Sequence, residues 1–125
     1  MKLKTVGLKM KGKIVEYVPV NARITYFRTH DEFKGWSLDS EVIELTETSV
    51  TIKAIVRNSE GRIIGSGLAN ENKNDGYINK TSFVENCETS AWGRALSNLG
   101  IGIDTSIASY DEVFTAQAKQ AAPTP

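Results

Sequence analysis

The chain has 125 residues, of which 40% are hydrophobic, and 15 basic and 15 acidic side chains give it a formal net charge of zero. This length is enough for one domain with a single core. The sequence has no apolar run long enough to span a membrane, and with one cysteine and one histidine it excludes an internal disulfide and a Cys/His zinc site. No apolar segment follows the lysine-rich start, so we expect no signal peptide and a cytoplasmic location.

The charges are unevenly distributed along the chain. Residues 1–15 contain five lysines and no acid, whereas the remainder holds ten basic and fifteen acidic side chains. We interpret 1–15 as a basic segment, irregular or forming an edge strand, that is either simply solvated or grips a polyanion. Residues 16–117 are expected to form the domain, and the low-complexity tail 118–125 is expected to be disordered.

The first predicted helix follows Pro19. Asn21 is a possible N-cap for a short helix at 22–33, in which Ile24 and Phe27 share one face. Arg23 and Arg28 flank that face. A turn at 33–36 then leads into the first strand.

Three strands are predicted at 36–45, 49–58 and 62–70. Gly61 suits the left-handed position of a three-residue hairpin loop, which would pair Asn58 with Arg62 and place Val56 opposite Ile64. On the other face, Lys53 and Arg57 would stand beside glycines and an alanine. Glycine inside a strand often marks the close approach of a ligand or another backbone, although a weakly packed outer face is the commoner explanation.

A long amphipathic helix is predicted at 81–100, after a polar loop at 70–79. Thr81 or Ser82 can serve as N-cap, Glu85 has the spacing of a capping box, and Gly100 is a plausible stop. Small polar residues dominate the face opposite the apolar sector: Asn86, Thr89, Ser90, Gly93, Arg94 and Ser97. Such a face suits a second subunit, a neighbouring segment or a phosphate backbone, and burial on both sides of the helix is an equally good reading.

The fold class predicted from these elements is α+β. A short helix precedes a three-stranded antiparallel meander, one long helix packs on the meander, and a short helix at 107–117 ends the domain. The open sheet edges and the uncovered surface predict a homo-oligomer.

Catalytic motifs are hard to find in this chain. It has no phosphate-binding GxxxxGK[ST] run, and His30 has no nucleophile elbow to serve. Plentiful carboxylates leave open a small metal-dependent nuclease, but acids spaced along strands are usually solvated. We therefore expect a binding protein that is not an enzyme and needs no cofactor.

Two stretches carry a family resemblance. The run Phe33-Lys34-Gly35-Trp36-Ser37, followed by the meander and by Glu-Thr-Ser-Ala-Trp-Gly-Arg-Ala-Leu at 88–96, resembles single-strand annealing proteins of the phage Sak type and the Rad-fifty-two group. The resemblance implies a ring or helical filament that binds single-stranded DNA in a basic groove. It also implies ATP-independent annealing of complementary strands in phage-type recombination and DNA repair.

The resemblance also implies which side chains line that groove. Arg94 matches the arginine of the helix motif, and Arg23 lies close to a first-helix arginine of the family. The strand register and the loop add further cations, so the predicted DNA-binding set is Arg23, Arg28, Lys53, Arg57, Lys73, Lys80 and Arg94. The tail is a candidate contact for a single-strand-binding protein. The competing hypotheses are a structural or regulatory oligomer without DNA binding, and the nuclease.

Overall fold

The computed structural model describes residues 3–10 and 12–103. The predicted α+β architecture is confirmed, because a three-stranded antiparallel sheet packs against one long helix. The elements are β1 (Val6–Met10), β2 (Lys13–Tyr17), α1 (Val20–Thr29), β3 (Ser37–Leu45), β4 (Ser49–Arg57), β5 (Ile63–Asn72) and α2 (Asn79–Asn98). Neither helix is long and apolar enough to cross a membrane. The predicted helix at 107–117 and the tail at 118–125 lie outside the described residues.

The sequence predicted an irregular segment or an edge strand at 1–15, and the structure forms a β-hairpin from β1 and β2. β1 and β2 pair antiparallel, with Val6 opposite Tyr17, and they form a two-stranded sheet separate from the main one. At the end of β2 the chain enters the core, where Tyr17 and Val18 are fully buried. The basic segment is therefore an arm that is anchored at its base.

Helix α1 begins earlier than predicted. Pro19 occupies the N-cap position with φ −64° and ψ 155°, so the prediction of Asn21 as the cap is wrong. The fixed φ of proline and its missing N–H are compatible with a helix start. The helix ends at Thr29 with His30 as its C-cap, and a 3-10 turn at Asp31–Phe33 continues the chain.

The main sheet has the order β3-β4-β5, so β4 is central. Its alternate residues Val50, Ile52, Ala54 and Val56 are nearly or fully buried under α2. This period of two is the pattern of a strand with one covered face. β3 carries a bulge between Val42 and Glu44, and most of its residues are exposed.

The β4–β5 hairpin is confirmed at its tip and differs in register beyond it. Gly61 has φ +85°, and the N–H of Asn58 donates to the carbonyl of Arg62 over 2.9 Å. A one-residue shift follows, so that Val56 lies opposite Gly65 and not opposite Ile64. A shift of one residue exchanges the two faces of a strand.

The exchanged face places small residues under α2. Gly65, Gly67 and Ala69 face the helix, whereas Ile64 and Leu68 are exposed. A Cβ atom on Gly67 would lie 2.6 Å from the carbonyl oxygen of Ala91 and would also clash with the amide nitrogen of Ala95. The strand glycines therefore mark the close approach of the helix backbone.

Helix α2 is interrupted near its start and closed at its end. Ser82 has non-helical dihedrals of φ −139° and ψ 32°, one turn after the assigned start. At the other end, Gly100 has φ +93° and donates to Ser97, while the N–H of Ile101 donates to the carbonyl of Leu96 over 3.1 Å. These two bonds form a Schellman motif, and both Leu96 and Ile101 are buried. The predicted stop at Gly100 is thus confirmed.

The small polar face of α2 is partly covered by α1. Arg23 is fully buried, and its Nη1 donates to the carbonyl of Gly93 over 3.2 Å and to the hydroxyl of Ser97. Ser90 and Gly93 on the same face are buried as well. Of the three occupants suggested by the sequence, a neighbouring segment of the same chain is the one observed here.

Substituting Gly67 tests the close approach of α2 to β5. Gly67→Ala is expected to lower the free energy of unfolding by about 3 kcal/mol, because the clashing atoms belong to helix backbone. Gly65→Ala is the matched control. Its Cβ would lie 3.2 Å from the flexible end of Leu99 and 3.7 Å from the nearest backbone atom, the carbonyl oxygen of Ala95, and we expect a change below about 1 kcal/mol. Urea unfolding measures both, and equal effects would contradict this packing.

Substituting Arg23 tests whether this arginine holds the two helices together. Arg23→Ala removes a buried side chain together with its hydrogen bonds, and we expect a loss of about 3 kcal/mol in unfolding free energy. Arg28→Ala on the exposed side of the same helix should change it by less than about 1 kcal/mol. Thermal or urea unfolding that shows the two variants to be equally stable would contradict the structural role of Arg23.

Candidate nucleic-acid interface

The seven cations predicted to bind DNA lie in several different parts of the domain. Arg23 is in the interior, so it offers no surface contact. Arg28 is exposed on α1, where its guanidinium carbon lies 5.3 Å from the centre of the Phe27 ring. A single protomer therefore does not gather all seven cations into one groove.

Lys53 and Arg57 lie on the sheet face that points away from α2. Arg57 forms an ion pair with Asp39, with 3.3 Å between Nη1 and Oδ2. Lys53 stands opposite Glu41 in the register of β3 and β4. Because each cation has a carboxylate in the neighbouring strand, this face attracts phosphate weakly.

Arg94 covers the free edge of β5 together with Asn98. Nη1 of Arg94 donates to the carbonyl of Leu68 over 2.9 Å, and Nδ2 of Asn98 donates to the carbonyl of Ser66 over 3.0 Å. Residues four apart on a helix thus reach carbonyls two apart on a strand. The sequence did not predict that Arg94 and Asn98 cover a strand edge. The only available signal was their spacing of four residues on the predicted helix.

Lys73 and Lys80 belong to the connection between β5 and α2, and Tyr77 lies between them in the sequence. Tyr77 is 84% exposed. Among residues 3–10 and 12–103, no carboxylate lies within 4 Å of either lysine ammonium. We call Lys73, Tyr77 and Lys80 the loop surface.

Two residues of the loop surface, Tyr77 and Lys80, line an open groove of about 320 Å³. Its lining consists of Tyr77, Ile78, Lys80, Thr81 and Ser82. The groove thus combines an aromatic ring, an ammonium group and two hydroxyls at the point where α2 is interrupted. These groups can hydrogen-bond and attract a phosphate while leaving a flat ring free for stacking.

Hydrogen bonds of two asparagine side chains and one backbone amide fix the base of the loop surface. Nδ2 of Asn79, a residue that is 3% exposed, donates to Oε2 of Glu71 over 2.7 Å. Nδ2 of Asn86 donates to Oδ1 of Asn79 over 2.9 Å. The N–H of Lys73 also donates to the carbonyl of Thr48 over 2.7 Å, which ties the connection to the β3–β4 turn. The sequence placed Asn79 in the polar loop and Asn86 on the small polar face of the long helix, and it did not predict the network between them.

The nuclease hypothesis finds no metal site in the part of the chain that the structure describes. No group of three or more His, Cys, Asp or Glu side chains there could hold a metal ion. Four exposed acids lie along β3 and its turn, as solvated strand residues do: Asp39, Glu41, Glu44 and Glu47.

Comparison with known proteins identifies a family. The family model described as Slr1353 N-terminal dsRNA-binding domain-like matches residues 24–99, from within α1 to the end of α2. No curated protein and no solved structure matches the chain. The predicted membership in the single-strand annealing proteins is wrong, because the matching family is a different one. The match covers more than half of the sequence, and the chain belongs to the Slr1353 N-terminal dsRNA-binding domain-like family.

Proposed function

We propose that this domain binds double-stranded RNA through the sugar-phosphate backbone, and that Lys73 and Lys80 of the loop surface make the main contact. The family description supports nucleic-acid binding in general and suggests the duplex form. The observation that carries the proposal is the exposed pair Lys73 and Lys80, for which no ion pair occurs among the described residues.

Backbone recognition fits the chemistry of the loop surface. Ammonium groups and hydroxyls bind phosphates and ribose 2′-hydroxyls, and such contacts carry no base sequence. The neutral protomer supplies little general attraction to a polyanion, so a few local cations have to supply the affinity. Binding should therefore be modest and strongly dependent on salt.

The fixed base of the connection supports the same function. Asn79 and Asn86 hold the start of α2, and the Lys73 amide holds the β3–β4 turn. A rigid base lowers the entropy lost when the flexible lysines meet a phosphate. The hydroxyls of Thr81 and Ser82 lie next to Lys80 and can add hydrogen bonds.

Removing the two lysines tests the proposal. Lys73→Ala with Lys80→Ala should weaken binding to a 20-base-pair RNA roughly tenfold or more and reduce the salt slope by about 1 per lysine. The control Lys53→Ala with Arg57→Ala removes the same charge from the outer sheet face and should change affinity less than about threefold. Fluorescence anisotropy at several salt concentrations measures both. A larger loss in the control would assign binding to the sheet face.

Binding and ATP-independent annealing of single-stranded DNA by a homo-oligomer is the second candidate function. Its specific support is the exposure of Tyr77, because an exposed ring suits stacking on unpaired bases. The assignment to phage recombination depended on the family resemblance and is withdrawn. The proposed contact between the tail and a single-strand-binding protein concerns residues outside the described range and stays a prediction.

Tyr77 separates the two candidates. For duplex RNA, Tyr77→Ala should leave the affinity within about twofold, because paired bases do not stack on the ring. For single-stranded DNA, the same change should cost about 1–3 kcal/mol of binding free energy, and Tyr77→Phe should restore it. Anisotropy with both ligands measures the difference. Preference for single strands, lost with the ring and accompanied by annealing without ATP, would favour the second candidate.

A further inference from the structure

One edge of the main sheet is covered by side chains of α2, and the other edge is free of a described partner strand. The β5 edge is covered by Arg94 and Asn98. β3 forms the other edge, and no described strand pairs with its free side. An uncovered strand edge is a template for pairing with another chain.

Apolar side chains cluster on this free strand. α2 contacts β3 at Ser40, where Nε1 of Trp92 donates to the Ser40 hydroxyl over 2.8 Å. Beyond that point, Val42, Ile43 and Leu45 are each more than half exposed. We call residues 37–45 the acceptor edge.

The acceptor edge lies in an acidic part of the chain. Residues 37–52 contain four acids and no basic residue, and the acids are Asp39, Glu41, Glu44 and Glu47. Of these four acids, only Asp39 forms an ion pair with a described residue, which is Arg57 of the neighbouring strand. A strand that adds to this edge should therefore be basic and partly apolar.

The β1–β2 hairpin has the complementary properties. It carries Lys9 and Lys13, and its Ile14 is 78% exposed. A two-stranded hairpin is marginally stable by itself and gains stability when a third strand is added. Within one chain, the hairpin and the main sheet are separate sheets.

We propose that the β1–β2 hairpin of one copy adds to the acceptor edge of a second copy and extends its sheet. Complementary charge selects this arrangement over the alternative in which two β3 edges pair directly, because that pairing would place acids opposite acids. The contact uses different surfaces on the two copies, so repetition gives a ring or a filament. The proposal does not depend on nucleic-acid binding, since the loop surface takes no part in it.

Charge reversal on each side tests the proposal. One variant carries Lys9→Glu and Lys13→Glu, and the other carries Glu41→Lys and Glu44→Lys. In sedimentation velocity without nucleic acid, the wild-type chain should associate, and high salt should weaken the association. Each variant alone should associate at least tenfold more weakly, because like charges now meet. An equimolar mixture should regain the association, because each reversed hairpin meets a reversed edge.

The mixture is the decisive measurement, because damaged folding cannot produce a gain of association. Arg28→Glu with Lys34→Glu is the control: it reverses two exposed cations outside the hairpin, and it should leave the association unchanged. A wild-type chain that stays monomeric at high concentration and low salt would overturn the proposal. So would variants that associate normally, or a mixture that fails to recover. Unchanged RNA binding by both variants would keep the proposed function separate from this result.

Discussion

The close approach of α2 to β5 is the contact on which the rest of the domain depends. Gly67 lacks a side chain where the backbone of α2 passes, and Ala91 and Ala95 keep the facing helix surface flat. Because the helix lies so close to the strand, the side chains of Arg94 and Asn98 reach the carbonyls of the β5 edge. The same placement leaves α2 over β4 and β5 and leaves much of β3 uncovered. The position of α2 therefore covers the β5 edge of the sheet and leaves the β3 edge without a partner strand among the described residues.

The sequence predicted the elements better than the contacts between them. Gly61 and Gly100 were interpretable because their positive φ angles are local properties of a turn and a helix end. The register of β5 was not interpretable, because a one-residue shift after Arg57 is favoured by packing with α2, which is distant in sequence. Close approach of another backbone was one of two explanations that the sequence offered for the glycines in β5, and the sequence assigned these glycines to the wrong face.

The same limit explains why the candidate site was only partly foreseen. Cationic side chains can be identified in a sequence, but their contacts in the folded domain determine whether they are free to bind a phosphate. Arg23 is buried and donates to α2, and Arg57 forms an ion pair with Asp39. Arg94 donates to a carbonyl at the edge of β5. The helix motif that suggested annealing proteins is rich in residues used for packing here, including Ala91, Gly93 and Ala95. A short motif of small residues thus reports helix packing as much as it reports DNA binding.

A neutral chain can still hold strong local charge, because its lysine-rich start and acidic β3 lie far apart in the sequence. Attraction between such segments is short-ranged at physiological salt, where the screening length is about 8 Å. It therefore acts only between surfaces that are already in contact, and exposed apolar residues such as Ile14 and Val42 can supply that contact. If copies join in this way, the acids of the edge are neutralised and the loop surface is repeated along the assembly.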